Sequence, residues 1–510
     1  MYAPPRGVQH PMKARLDWRK ALVYTHRWLG IAGGLLVLMW FASGIVMIYH
    51  RMPEVGAAER LERLRPIDPS GIRIAPAQAA AAAEGPFNAV RLTMLGVRPV
   101  YRLGIRTVFA DTGEILGTLS ADQAMSVAGD FAPDHRESLT YDALLTEPDQ
   151  WTLQSGGFPL HRIALSDKQD TRVYVSDRSG EIVMRTTGSG RAWGYAGAVL
   201  HWLYFTPFRV HASLWSQTII WLSIAGCLLT LSGLLWGLIR FAPLRRHRMR
   251  GRRSLTMSPY TGLLAWHHYA GLVFGFFSFT WMLSGGLSME PWNWHPGTSP
   301  TSQQRDALSL GPLSLEGVSA GLVREGVATM AASAPVHEIE IVQVRGRPYL
   351  VGREGRAGAE PRLLSAITPA AGVVDAVPVA DLIDAAAEAM PGIGIREMVT
   401  LEEYDSYYYD RTGQAPLPVL KVAYADPQGT ALYIDLRRGV IVRKEERLTR
   451  LNRWLYHGFH SLDFPFLYTS RPLWDVIVIV LSLGGIALCT TTLWPGWKRL
   501  TQHARRISGR

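Results

Sequence analysis

The chain has 510 residues, 48% hydrophobic and 19% charged, with a formal net charge of +11. Those bulk values sit at the soluble average and announce no membrane protein, so the distribution of residues has to decide the class. No basic stripe falls on a folded soluble region, so the positive charge does not call for nucleic acid.

In chain order, residues 1–27 form a basic tail with six Lys/Arg and one Asp. A nearly charge-free window from Trp28 to Tyr49 follows, long enough to cross about 30 Å of hydrocarbon at ~1.5 Å per residue. Its apolar stretch is too long for a cleaved signal core, so an uncleaved signal-anchor is expected. Three more windows are equally apolar: Thr218 to Ile239, Tyr269 to Met289, and Leu473 to Trp494, the last with Asp475 near its start. Each carries Trp or Tyr near an end, as an interfacial belt does. The expected organisation is a tail (1–27), a first span (28–49), an outer region (50–213) and a second span (214–239). An Arg-rich link (240–265), a third span (266–289), a second outer region (290–472), a fourth span (473–494) and a tail (495–510) complete it.

The tail to Arg27, the RFAPLRRHRMRGRR link and the segment after Trp494 together hold 18 basic residues and one acidic one. By the positive-inside rule both termini and the link are cytoplasmic, and the two long regions are outside. Only two cysteines exist, Cys227 and Cys489, each inside a predicted span, so no disulfide staples the outer regions. Those regions alternate apolar and polar residues between turn signals, as in VYRLGIRTVFADTGEILG, VYVSDRSGEIV and LYIDLRRGVIV. PAQAAAAAE and LIDAAAEAM read as helices packed on such strands, giving an α+β fold outside the membrane. The acidic turns at Asp111, Asp177 and Asp435 read as turn formers. The aromatic stretch EYDSYYYDR, Glu403 to Arg411, reads as a tyrosine-rich strand or a ligand contact.

Two halves of the chain match. THRWLGIAGG from Thr25 lies on WHHYAGLVFG from Trp266, pairing His26 with His267, Gly30 with Gly271, Trp40 with Trp281 and Ser43 with Ser284 at a constant offset of 241. HWLYFTPF from His201 likewise matches HSLDFPF from His460. The fold expected is a membrane α-helical protein: a bundle of four transmembrane helices made of two tandem repeats, each repeat carrying an α+β outer domain.

The histidines crowd the predicted boundaries in matched sets. His26 and His267 open the odd spans; His201 and His460 precede the even ones. Two histidines near each face are the ligand count for two six-coordinate haems b, and nearby Gly30, Gly33, Gly34, Gly271 and Gly275 let a flat ring approach or simply let helices pack. His457, His268 and His211 are alternates: His457 lies three residues before His460, His268 points about 100° away from His267, and His211 follows His201. Interfacial hydrogen bonding is the competing explanation for all of them. No GxGxxG after a strand, Walker A, CxxC or HExxH is present, so no nucleotide, flavin or zinc chemistry is legible.

THRWLG with its later SG, the HWLYFTP and HGFHSLDFPF segments and the strand–turn patterns together resemble the PepSY-associated transmembrane-helix family of iron-regulated membrane proteins. The likeness spans nearly the whole chain. Members similar to di-haem ferric-siderophore reductases have four helices, PepSY-like periplasmic domains and two haems b held by histidines. The resemblance implies a multi-pass protein of the bacterial inner membrane that passes electrons across the bilayer to a ferric siderophore in the periplasm. It places His26 and His267 at the cytoplasmic side and His201 with His457 or His460 at the periplasmic side, leaving their pairing open. No fused flavoprotein domain is seen, so membrane quinol or a separate cytoplasmic reductase would supply electrons. The alternative is a non-enzymatic PepSY membrane protein that binds or regulates a periplasmic partner; a transporter is disfavoured because paired intramembrane acids and broken helices are lacking.

Overall fold

The structure is a computed structural model that describes residues 17–507, apart from Pro86, Asn88, Gln154, Gly156, 242–245, 250–251, 256, Ala357 and Thr412; at 246–249 and 252–255 the backbone alone is described. The basic residues expected in 1–16, in much of the link and at 508–510 lie outside the described residues.

Four helices are long and apolar enough to cross a membrane: α1 (Trp18–Met47), α2 (Ala212–Arg240), α3 (Leu263–Leu287) and α4 (Leu473–Ile507). They outrun the apolar windows, because hydropathy marks the part that suits hydrocarbon and not the helix end. Thus α1 starts at Trp18, where Asp17 accepts the Arg19 N–H at 3.2 Å, and α4 continues through Pro495. Asp475 is paired with Arg471 at 2.9 Å, which accommodates an acid at the start of α4.

The helices form a ring in which α1 and α3 each pack against both α2 and α4, so α1 and α3 stand diagonally. Glycines set the close approaches. A Cβ at Gly484 would lie 2.3 Å from Phe274, one at Gly485 2.4 Å from Phe41, and one at Gly226 2.8 Å from Met282. Buried Val37, Phe41, Met282 and Cys489 fill the middle.

The strands are β1 (Val90–Leu95), β2 (Arg98–Leu103), β3 (Arg106–Phe109), β4 (Thr140–Leu145), β5 (Leu160–Ala164), β6 (Arg172–Ser176) and β7 (Ile182–Thr186) between α1 and α2. A short hairpin of β8 (Arg246–Met249) and β9 (Arg252–Leu255) lies in the link. Between α3 and α4 come β10 (Glu338–Val344), β11 (Arg347–Arg353), β12 (Arg362–Ser365), β13 (Ile395–Leu401), β14 (Val419–Tyr424), β15 (Ala431–Asp435) and β16 (Val440–Glu445). β4–β7 and β13–β16 form separate four-stranded antiparallel sheets, while β1–β3 and β10–β12 join in one six-stranded sheet ordered β12-β11-β10-β1-β2-β3.

That six-stranded sheet merges the two outer regions. Val90 pairs with Ile341 and Leu92 with Ile339, so each region hides an edge strand against the other instead of capping it alone. One core runs across the seam, from Ile72, Leu92 and Tyr101 to Val323, Ile339 and Leu350, with the alanine-rich helix Pro76–Ala83 packed on it. Charges lock the joint: Glu338 receives Arg60 at 2.8 Å and Arg91 at 3.1 Å, and Arg91 also reaches Glu181. Burial opposes ionisation of Glu181, but Arg102, Arg91 and Arg60 outweigh it and hold the carboxyl below its usual range.

The tyrosine-rich stretch is not a strand. β13 ends at Leu401, and Asp405 accepts the Tyr407 and Tyr408 N–H groups at 2.8 and 2.6 Å, folding the chain into a turn. The tyrosines pin the loop: Tyr408 stacks on Tyr433 at 5.0 Å, and Tyr409 donates to Asp463 at 2.5 Å.

Candidate functional site

Each even-numbered long helix is preceded by the same local device. A π-helical turn (Tyr195–Val199, Arg453–Gly458) leads into a three-residue helical turn bearing a histidine, His201 or His460. The next leucine, Leu203 or Leu462, takes a left-handed backbone (φ 53° and 49°) and reverses the chain. Trp215 and Trp474, at the heads of α2 and α4, fix these turns by donating their indole N–H to the Trp202 and Ser461 carbonyls, both at 2.9 Å. A non-glycine residue at positive φ is costly and persists only where its surroundings impose it. Here the indole bond and the reversal impose it. The sequence carried no signal for the π turns.

The histidines meet in two pairs. At the end of the bundle nearest the link, His26 of α1 and His267 of α3 face each other across the ring interior, with centroids 5.9 Å apart. At the end nearest the sheets, His201 and His460 face each other at 6.1 Å. His201 abuts Ser43 of α1, and His460 abuts Ser284 of α3. Ser43 and Ser284 each lie seventeen residues beyond their helix's own histidine, so the two pairs are roughly 25 Å apart along the bundle at 1.5 Å per residue. That is close to the hydrocarbon thickness of a bilayer, about 30 Å.

Hydrogen bonding fixes the tautomer of all four rings. A carbonyl can only accept, so His26 must carry its proton on Nδ1 to donate to the Leu229 carbonyl at 3.0 Å. His267 donates Nδ1–H to the Leu488 carbonyl at 3.2 Å. His201 donates to the Trp40 carbonyl at 3.2 Å and lies 3.1 Å from Ser43 Oγ. Ser43 gives its own hydroxyl proton to the Met39 carbonyl at 2.7 Å, leaving its lone pairs to accept. His460 and Ser284 repeat the arrangement at 3.0 Å, with Ser284 donating to the Trp281 carbonyl. In every ring Nε2 therefore keeps its lone pair, and none of the four Nε2 atoms is hydrogen-bonded among the described residues. This is the outer-shell arrangement that orients metal-binding imidazoles.

The spacing fits a shared metal. Two metal–nitrogen bonds of about 2 Å, plus the reach of each ring, put centroids about 6.3 Å apart. The observed 5.9 and 6.1 Å are within a few tenths of that. Among the described residues no third His, Cys, Asp or Glu joins either pair, so a tetrahedral zinc-type centre has no ligands here. Two imidazoles at each end would hold a metal only if the rest of its coordination came with a bound group.

Space exists beside the link-end pair. A cleft of about 1480 Å³, including its open mouth, is lined by His26, His267, Gly30, Gly34, Gly233 and Gly271. Gly34 meets nothing within 4 Å where a Cβ would stand, whereas at Gly233 a Cβ would lie 2.3 Å from His26 Cε1. At the other pair, Gly44 and Gly285 lie against His201 and His460 at 3.5 and 3.6 Å.

The alternates are placed elsewhere. His268, buried, donates Nε2–H to the Gly237 carbonyl and accepts from Ser258, both at 2.8 Å, so it has no lone pair left and clamps α3 to α2 and the link. His211 is exposed as the residue before α2. His457 sits in the π turn with its ring 4.6 Å from Tyr456 and is not part of the facing pair. Missed by the sequence was a buried group at the sheet end, where Asp463 takes Tyr409 and lies 3.1 Å from Arg411, tying the tyrosine loop to the bundle. Burial and the Asp463 hydrogen bond raise the Tyr409 pKa, keeping the phenol protonated.

Among known proteins, the family model described as the PepSY-associated TM region matches residues 23–499. No curated protein matches the chain.

Proposed function

The chain belongs to the family of the PepSY-associated TM region, and from that premise we propose an inner-membrane protein with two haems b that passes electrons across the bilayer to a periplasmic ferric siderophore. One observation carries the reading: four imidazoles locked as Nδ1–H tautomers, paired at metal-sharing distance near opposite ends of a membrane bundle. When bound, haem iron supplies reversible one-electron chemistry at each pair.

The chain's own residues hold, orient and insulate. His26 with His267, and His201 with His460, would hold the two groups through their free Nε2 atoms. Leu229, Leu488, Trp40, Ser43 and Ser284 set ring orientation and basicity. Between the pairs, Phe41 packs on Trp281 at 5.6 Å within an apolar core of Val37, Met282 and Cys489. The equal roles of residues 241 apart on α1 and α3 support two tandem copies of one helix–domain–helix unit. The basic tails and link favour both termini in the cytoplasm and the sheets in the periplasm. Electrons would enter at the link end, from membrane quinol or a separate cytoplasmic reductase. Reduction loosens an oxygen-ligand chelate, which binds Fe(II) far less tightly than Fe(III), and frees iron for uptake.

The test is a reduced-minus-oxidised spectrum of the detergent-purified protein. Two low-spin b-type signals are expected, one lost in His26→Ala or His267→Ala and the other in His201→Ala or His460→Ala. Colourless protein, or spectra unchanged in all four variants, would overturn the proposal. Anaerobic reoxidation of the reduced protein by ferric chelates then tests the substrate class; a protein that no chelate reoxidises is not a siderophore reductase.

A further inference from the structure

The mouth of the link-end cleft carries two cations that the histidine chemistry does not use. Arg27 follows His26 on α1, Arg499 lies near the end of α4, and both line the cleft that holds His26 and His267. The two helices are in register around them: Trp28 meets His503 with centroids 5.7 Å apart, and a Cβ at Gly496 would touch Ile31 at 3.7 Å. The two positive charges act on one another unfavourably. Neither guanidinium forms an ion pair or hydrogen bond among the described residues; Arg27 lies only over the Tyr24 ring, at 5.4 Å.

Among the described residues no acidic side chain pairs with either guanidinium. The tail to Arg27, the arginine-rich link and the segment after Trp494 contain a single acid, Asp17. That residue caps α1 and lies 3.6 Å from Lys20. Two guanidinium groups at the rim of an apolar cleft, with no ion pair among the described residues, suit an oxyanion carried by a ligand in that cleft. Planar forks of N–H donors suit carboxylates best when these arrive in a fixed geometry, as they do on a ligand already held between the imidazoles.

We propose that Arg27 and Arg499 form a carboxylate-binding rim that grips the acidic edge of the cofactor held by His26 and His267, an inference that rests on the haem reading above. The same oxyanion chemistry is offered by an anionic lipid headgroup, and the experiment separates the two.

Full-length apoprotein in neutral detergent is titrated with protohaem and with its dimethyl ester, which has the same ring and iron but no carboxylates. The wild type is expected to bind the free acid on the order of tenfold or more tightly than the ester, as charge-assisted hydrogen bonds imply. Arg27→Gln with Arg499→Gln should erase that preference at one of the two sites while the bis-histidine spectrum persists. Arg27→Lys with Arg499→Lys, which keeps the charge, should retain part of it. Equal affinity for acid and ester in the wild type, or a preference undiminished in the glutamine variant, overturns the proposal. So does anionic lipid that co-purifies with the wild type and is lost in the glutamine variant without any change in ester preference, an outcome that assigns the pair to headgroups. If neither porphyrin binds at all, the haem reading has failed and the rim falls with it.

Discussion

Gly233 is the most exacting position around the link-end pair. An alanine methyl there would stand 2.3 Å from His26 Cε1 and 2.6 Å from Nδ1, whereas ordinary contact begins at 3.4 Å. The ring must therefore retreat by about 1 Å, since repulsion at such a separation exceeds any packing gain. The ring is not free to retreat: its Nδ1–H is committed to Leu229 at 3.0 Å. Losing that bond costs about 1 kcal/mol, and overpacking of this kind about 1–3 kcal/mol in all. Metal–nitrogen distances tolerate only about 0.2 Å, so the displacement matters far more to ligation than to folding. Gly233→Ala is therefore expected to fold and to keep the sheet-end b-type signal while losing or broadening the link-end one in the reduced-minus-oxidised spectrum. Gly34→Ala, with nothing within 4 Å of the added methyl, should leave both signals intact. A Gly233→Ala protein with two unaltered signals and unchanged midpoint potentials would refute the assignment of His26 as a ligand in this geometry.

Other changes act at stated places. Ser284→Ala or Ser43→Ala removes the acceptor facing His460 or His201 Nδ1, and cofactor retention at the sheet end should fall by about 10–100-fold while the link end is spared; full content at both ends in purified protein would contradict this. Glu181 has its folded pKa held below its unfolded value of about 4.3, so its contribution is fully present above that value and is lost as pH falls through the folded pKa. Thermal melts from pH 6 to pH 3 should decline accordingly, and Glu181→Gln should flatten that decline while lowering stability near neutrality by about 3 kcal/mol. Asp463→Asn strips a buried partner from Tyr409 and Arg411 and is expected to cost about 3 kcal/mol, read as a lower melting temperature and faster proteolysis of the 403–417 loop; resistance equal to wild type would show that the tyrosine loop is anchored elsewhere.

The membrane helices were legible because hydrocarbon imposes a length and composition on any segment that crosses it. Their ends were not: Asp17 extends α1 back to Trp18 by a capping bond that hydropathy does not weigh. The hairpins β6–β7 and β15–β16 were legible from alternation and turn residues, which are local signals, whereas β2–β3 turns at Gly104 and Ile105, ahead of the Asp111–Gly113 turn. The joining of β1 to β10 was hidden, since Val90 and Ile341 are far apart in sequence and nothing in either strand states which edge it will meet. The tyrosine loop misled for the opposite reason. Its residues favour a strand, but one Asp405 carboxylate offering two acceptor positions to the following N–H groups outweighs that preference.

At the site, residue type and helix depth picked out His26, His267, His201 and His460 but could not separate them from His268 by chemistry. The separation lies in what the other ring nitrogen touches. His267 and His268 are adjacent, yet a rotation of about 100° per residue sends one towards α4 and the other towards α2. His267 meets the Leu488 carbonyl with Nδ1 and keeps a lone pair on Nε2; His268 meets the Gly237 carbonyl with Nε2 and gives its remaining lone pair to Ser258. An imidazole whose two nitrogens are both engaged has nothing to offer a metal, however well it is placed. The ability to ligate is thus a property of the carbonyls and hydroxyls on the neighbouring helices, which no motif centred on the histidine itself contains.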